Sequence, residues 1–106
     1  MSQTLQLIKE LVARGEIRIS EHGYDELAAD DISVEDILSG VAAADLVEDY
    51  PDYFKGPSVL VLQKDPDGLP IHVVWGIPKG AGTPAVVVTA YRPGKDKWSD
   101  DFKTRL

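Results

Sequence analysis

The chain has 106 residues, 43% of them hydrophobic and 27% charged, with a formal net charge of -7 and no cysteine. That length suits a single domain over residues 1–106, and the composition is that of a chain that packs a core, so disordered, coiled-coil and collagen-like readings fail. The missing thiols exclude a disulfide scaffold, a cysteine nucleophile and thiolate metal sites, and together with the lack of an apolar run near the roughly 20 residues of a membrane span they predict a protein of the reducing cytoplasm with no membrane contact.

Leu5, Ile8, Leu11 and Val12 recur at helical spacing between Ser2 and Arg14, and Gly15 follows as a left-handed stop, which predicts an amphipathic first helix. Glu16-Ile17-Arg18-Ile19 alternates over too short a stretch to separate a brief strand from an extended link. Ser20 then caps a second helix whose apolar side is Tyr24, Leu27 and Ala28, ending at the acidic pair Asp30-Asp31. A third helix is the best signalled: Ser33 and Asp36 form a variant capping box, Ile32 staples to Ile37, and Gly40 closes it.

From Ala44 to Tyr50 the pattern becomes that of a strand, followed by a loop over Asp52 to Pro57 that carries Tyr53 and Phe54. Ser58 to Lys64 and Leu69 to Ile77 flank the turn Asp65-Pro66-Asp67-Gly68 and predict a hairpin. After a glycine-containing connection, Ala85 to Arg92 is apolar on both alternating faces, as a central strand would be. Trp98 and Phe102 stand four apart in a polar tail, which suggests a short helix capped by Ser99 that docks on the domain. Helices first and a meander afterwards predict an α+β domain, with the N-terminal helices on one face of an antiparallel sheet of about four strands. The opposite face, or the end where Arg92 emerges, is the place to look for a site.

Charge is unevenly spread. Through Ile77 there are 15 acidic and 5 basic residues, whereas from Pro78 onward there are 3 acidic and 6 basic. A polyanion would therefore meet the C-terminal third. His22 falls in the opening turn of the second helix, on its polar side, and an imidazole beside an anion-binding helix end suits general acid–base work on a phosphodiester. The competing role is a solvent-exposed histidine that ties its helix to the preceding loop.

His72 lies on a strand face with Val74, where it would either reach a site on the open face or make a cross-strand hydrogen bond. Thr89, Tyr91 and Arg92 end the last strand; a strand-end arginine can grip a phosphate through two N–H groups, and a tyrosine can donate a proton or stack on a base. As plain structure, Tyr91 would finish the core edge and Arg92 would pair with an acid. Lys79 adds a cation in the connection Pro78 to Pro84, which lacks the spacing of a P-loop. With no His-x-His pair and no helical His-x-x-x-His, neither a metal nor any other cofactor is expected.

Several stretches together, Ser20-Glu21-His22-Gly23, Asp31 to Ile37, Pro70-Ile71-His72-Val73-Val74 and Thr89-Ala90-Tyr91-Arg92-Pro93 with Trp98, resemble a bacterial family known as domain of unknown function 4258. The resemblance implies the toxin half of a type II toxin–antitoxin pair, a compact fold similar to RelE- and barnase-type ribonucleases that cleave RNA without metal, and a small zinc-binding antitoxin as partner. It supports His22 first, the Thr89–Arg92 strand end second and His72 third. Where the family commonly has arginines after the histidine, this chain has Asp25, Glu26 and Asp30. The resulting expectation is an endoribonuclease in which a 2′-hydroxyl attacks phosphorus, His22 shuttles a proton, Arg92 neutralises the phosphoryl oxygens and Tyr91 assists the leaving group, with Thr89, His72 and Lys79 binding substrate. It requires His22 and Arg92 to meet at one phosphate. The alternative is a non-catalytic module whose acidic surface binds a basic protein.

Overall fold

The computed structural model describes residues 2–106. Helix α1 (Gln3–Ala13) starts at Ser2, whose hydroxyl accepts from the Leu5 amide, and it buries Leu5, Ile8 and Leu11. Strand β1 (Ile17–Ile19) leads into α2 (Glu21–Ala29), and α3 (Val34–Gly40) continues into a short 3-10 turn over Val41–Ala43. The caps are those the side chains dictate: Ser20 accepts from the Gly23 amide and Ser33 from the Asp36 amide. Strands β2 (Asp45–Tyr50), β3 (Ser58–Lys64), β4 (Pro70–Gly76) and β5 (Ala85–Tyr91) complete the chain.

The sheet has five strands in the order β1-β5-β4-β3-β2, antiparallel throughout except where β1 runs parallel to β5. The fold is therefore α+β, as the order of patterns predicts, with one strand more than the four expected. The extra strand is Ile17–Ile19, whose pairing with Ala85, Val86 and Val87 no local periodicity announces. It places β5 between two neighbours, as its two-sided apolar pattern requires.

Against the helix-facing side of the sheet lie Val59, Val61, Ile71, Val73, Trp75, Val87 and Ala90, all inaccessible to solvent, and Ile8, Leu11, Leu27 and Ile37 from the helices close the core. One buried polar link crosses this interface. Gln63 accepts from the Trp75 indole at 3.0 Å and donates to the Ile37 carbonyl at 2.9 Å, which pins α3 to β3 and satisfies groups that burial would otherwise leave unpaired. Tyr24, expected on the apolar side of α2, is instead 57% exposed; buried Gly23 takes the contact with the sheet.

The tail does not form a helix. Ser99 and Thr104 join across a tight reversal, Trp98 bridges to Arg105, and Phe102 adopts a left-handed φ of 60°. The reversal lays residues 98–105 on the outer face of the sheet, so Trp98 docks on the domain as expected, by a different geometry.

Candidate functional site on the outer face of the sheet

The strand registers arrange the outer-face side chains in three rows. The first carries Asp45, Leu62, His72 and Tyr91; the second Glu48, Leu60, Val74 and Thr89; the third Tyr50, Ser58, Gly76, Val86 and Arg18. A register shift between Val74 and Trp75 inserts an extra residue in β5, and Val88 joins Thr89 on the outer side.

The C-terminal segment covers the first row. The rings of His72 and Trp98 stand perpendicular with centres 4.4 Å apart, His72 Nε2 lies 2.7 Å from the Phe102 carbonyl, Lys103 pairs with Asp45 at 3.4 Å, and Arg105 reaches Glu48 in the second row. Leu60 and Leu62 point outward yet are buried, and the segment is their cover.

The third row and part of the second stay open as a concavity of about 580 Å³. Its floor is Val74, Gly76, Val86 and Val88, and Arg18, Tyr50, Tyr53 and Lys55 stand around it. Glycine shapes the lip. Gly56 has a φ of 128°, and a Cβ there would lie 2.0 Å from the Ile77 carbonyl oxygen, so only glycine lets the β2–β3 loop cross the β4–β5 loop. Two backbone bonds lock that crossing, Ile77 N–H to Pro57 O and Lys79 N–H to Lys55 O. The second brings Lys79 beside Lys55.

Arg18 on β1 and Lys55 in the β2–β3 loop, bonded to the β4–β5 loop, thus both stand at the rim of the concavity. Apolar floor, exposed phenol rings and peripheral cations together suit a ligand with planar rings and negative charges.

The residues singled out from the sequence are not gathered there. His22 is exposed, its side chain 66% accessible, with Nε2 3.6 Å from Glu26 one turn on. The backbone around it is anchored: the Ser20 amide donates to Val87 O and its hydroxyl to Val88 O. Arg92 lies at the other end of α2, where its amide donates to Asp30. His22 and Asp30 are eight helical residues apart, about 12 Å along the axis. The Arg92 guanidinium turns away from α2, to Asp65 at 2.9 Å and the Pro70 carbonyl at 3.3 Å. No single phosphate spans His22 and Arg92, and the expectation that they share a pocket is corrected: Arg92 ties the β3–β4 turn to the end of β5.

Tyr91 and His72 do meet, but beneath the C-terminal segment. His72 has no exposed surface, and the Tyr91 hydroxyl faces its Nδ1 at 3.1 Å. Burial pushes the His72 imidazole below and the Tyr91 phenol above their ordinary ranges. These groups are committed to each other, which removes His72 from substrate binding in this conformation and makes the cross-strand role the one observed. Thr89 borders the concavity in the second row, and Lys79 reaches its lip through Pro78 and Lys55.

The side chains that sequence reasoning missed are Arg18, Tyr50, Lys55, Glu48 and Arg105. Only Tyr53 carried a signal, as one of two aromatics in a loop. Among the described residues no group of three or more His, Asp or Glu side chains is placed to hold a metal ion, and no helix is long and apolar enough to cross a membrane.

Comparison with known families matches residues 19–92 to the family described as Domain of unknown function (DUF4258). Comparison with curated proteins and with solved structures gives no match.

Proposed function

From the chain's membership of the domain of unknown function 4258 family and from the outer-face concavity, we propose that it acts on single-stranded RNA, as the family's likeness to toxin-like ribonucleases implies. The observation that carries the reading is the placement of Arg18 and of Lys55, with Lys79 beside it, together with Tyr50 and Tyr53 around an apolar floor, in a chain whose net charge is -7. A chain with such an excess of acid repels polyanions over most of its surface, so cations grouped around a cavity favour a local contact.

In this reading the RNA backbone crosses the strands between Arg18 and Lys55, and bases lie on the tyrosine rings. Cleavage would proceed by attack of a 2′-hydroxyl on the adjacent phosphorus, leaving a 2′,3′-cyclic phosphate and a 5′-hydroxyl end, with Arg18 and Lys55 each holding a separate phosphate of the strand. His22 stands outside the concavity, so in this reading the 2′-hydroxyl proton passes to solvent and the leaving 5′-oxygen takes one from it, and the half-buried Tyr91 and tethered Arg92 are likewise released from the roles first expected of them. The protein partner would be the zinc-binding antitoxin that the family likeness implies.

Fluorescence anisotropy with a labelled oligoribonucleotide tests this. Binding should weaken with salt, and Arg18→Ala and Lys55→Ala should each reduce the slope of log K against log salt by about 0.7, the share of one single-strand phosphate contact. Absence of binding at low salt, or slopes unchanged in both variants, would overturn the reading. Product ends from a reaction with unlabelled RNA report separately whether binding leads to cleavage.

A further inference from the structure

Tyr50 is the ring of the concavity with a second connection. Its hydroxyl donates to Glu48 Oε1, and the same carboxylate receives Arg105 through two bonds, Nε to Oε2 at 2.8 Å and Nη2 to Oε1 at 3.0 Å. Arg105 lies outside the stretch that matches the family, residues 19–92. Its guanidinium stacks 4.7 Å from the centre of the Trp98 ring, and Trp98 is itself 4% exposed against His72.

A solvent-facing ion pair ordinarily contributes little, because holding two long side chains in one geometry costs entropy and water screens the attraction. Here the pair is a two-bond fork, its cation rests on a buried indole, and its anion also holds a phenol, so the network falls among the exceptions to that rule. Without Arg105, Glu48 would be free to turn to solvent and the Tyr50 hydroxyl would lose the partner that holds it. Exposed rings stack well when their rotamer is already fixed, since less freedom is lost on binding.

We propose that Arg105 is a positioning residue for the outer-face site: by clamping Glu48 it makes that carboxylate hold the Tyr50 hydroxyl, and so fixes the Tyr50 ring as a stacking platform at the edge of the concavity. The C-terminal segment thereby completes a site whose other parts, Arg18 excepted, lie within the family match. The inference deepens the RNA reading and rests on it for the identity of the ligand, but the positioning has its own readout.

That readout is the titration of the Tyr50 phenol in the full-length protein, followed by NMR with ring-labelled tyrosine and assigned with Tyr50→Phe. In the wild type the bond to Glu48 raises the phenol above the ordinary tyrosine value, while Arg105 as a bare positive charge lowers it. If Arg105 positions Glu48, Arg105→Ala releases the carboxylate and the Tyr50 titration falls toward the ordinary value. A purely electrostatic role predicts a rise. Glu48→Gln approaches the same relay from its centre and should also give a fall.

The ligand arm uses a short oligouridylate. Arg105→Ala should weaken binding about fivefold or more, the lower end of what one stacked base contributes, and should have no further effect in a Tyr50→Ala background. A rise or no change in the phenol titration overturns the positioning, as does an equal loss of affinity in the Tyr50→Ala background, which would mean that Arg105 meets the RNA directly. Tighter binding by Arg105→Ala overturns it too, by showing that the segment obstructs the site. A wild type that binds no oligouridylate defeats the RNA reading, and the titration still decides the role of Arg105.

Discussion

The Nε2 of His72 and the carbonyl oxygen of Phe102 stand 2.7 Å apart, across the contact between the sheet and the C-terminal segment. A carbonyl only accepts, so the proton sits on Nε2, and Nδ1 is left to accept from the Tyr91 hydroxyl. Burial favours this neutral imidazole and lowers its titration below the ordinary histidine range. In the unfolded chain the histidine takes up its proton near pH 6.5, before the folded protein does. The folded state is thus favoured fully above about pH 6.5 and loses stability as the pH falls from there through the folded value. Denaturant melts at a series of pH values should show this loss, and His72→Gln, which keeps a donor and an acceptor without titrating, should remove it. The lowered carboxyl groups of Glu48 and Asp65 act in a separate window, in the more acidic carboxylate range.

Gly23→Ala should destabilise the protein despite alanine's better helix propensity. A Cβ at that position would lie 2.8 Å from the Val87 carbonyl oxygen, where α2 comes closest to β5. The helix gains up to about 1 kcal/mol from the exchange, and overpacking against backbone costs about 1–3 kcal/mol, so the net is a loss. Thermal melting checks the sign. A Tm at or above wild type would show that the helix can back away from the strand freely.

At Gln63 the expected loss is larger. Gln63→Ala leaves the Trp75 indole N–H without a partner in the core, worth about 1–3 kcal/mol when buried and unpaired, and also removes the second bond on the Ile37 carbonyl. Urea unfolding should show a drop of at least the lower figure with an unchanged m value. Gln63→Leu, which also lacks the amide, should not recover it.

Arg92→Ala should separate structure from ligand binding. Its guanidinium holds Asp65 and Pro70, and the Asp65 carboxyl, lowered first by the Leu69 amide and then by Arg92, should titrate closer to its ordinary value in the variant. RNA affinity should stay within about twofold of wild type, since Arg92 is outside the concavity. A large loss of affinity with an unperturbed fold would return Arg92 to the site.

The parts of this molecule that can be read locally are those with local causes. Ser33 with Asp36 caps α3, and Asp65 accepts from the Asp67 and Leu69 amides to close the hairpin turn; both follow from side chains a few residues apart. What escapes is set by distant pairings. Arg18 reaches the concavity because β1 pairs with β5 across nearly seventy residues, and Lys55 joins it because Gly56 lets two loops cross. His22 and Arg92 looked like partners because each stood beside a suggestive feature, a helix start and a strand end. The fold lays α2 alongside β5 and so holds them at opposite ends of the helix.

The central claim is that the outer face between Arg18 and Lys55 is where RNA lies. The most direct test is chemical-shift mapping during titration with a short single-stranded oligoribonucleotide. The shifts should cluster at Arg18, Tyr50, Lys55, Val74, Val86 and Val88, with Arg92 and Asp65 unmoved. Shifts centred on Arg92 and Asp65, or confined to the acidic faces of α2 and α3, would contradict it.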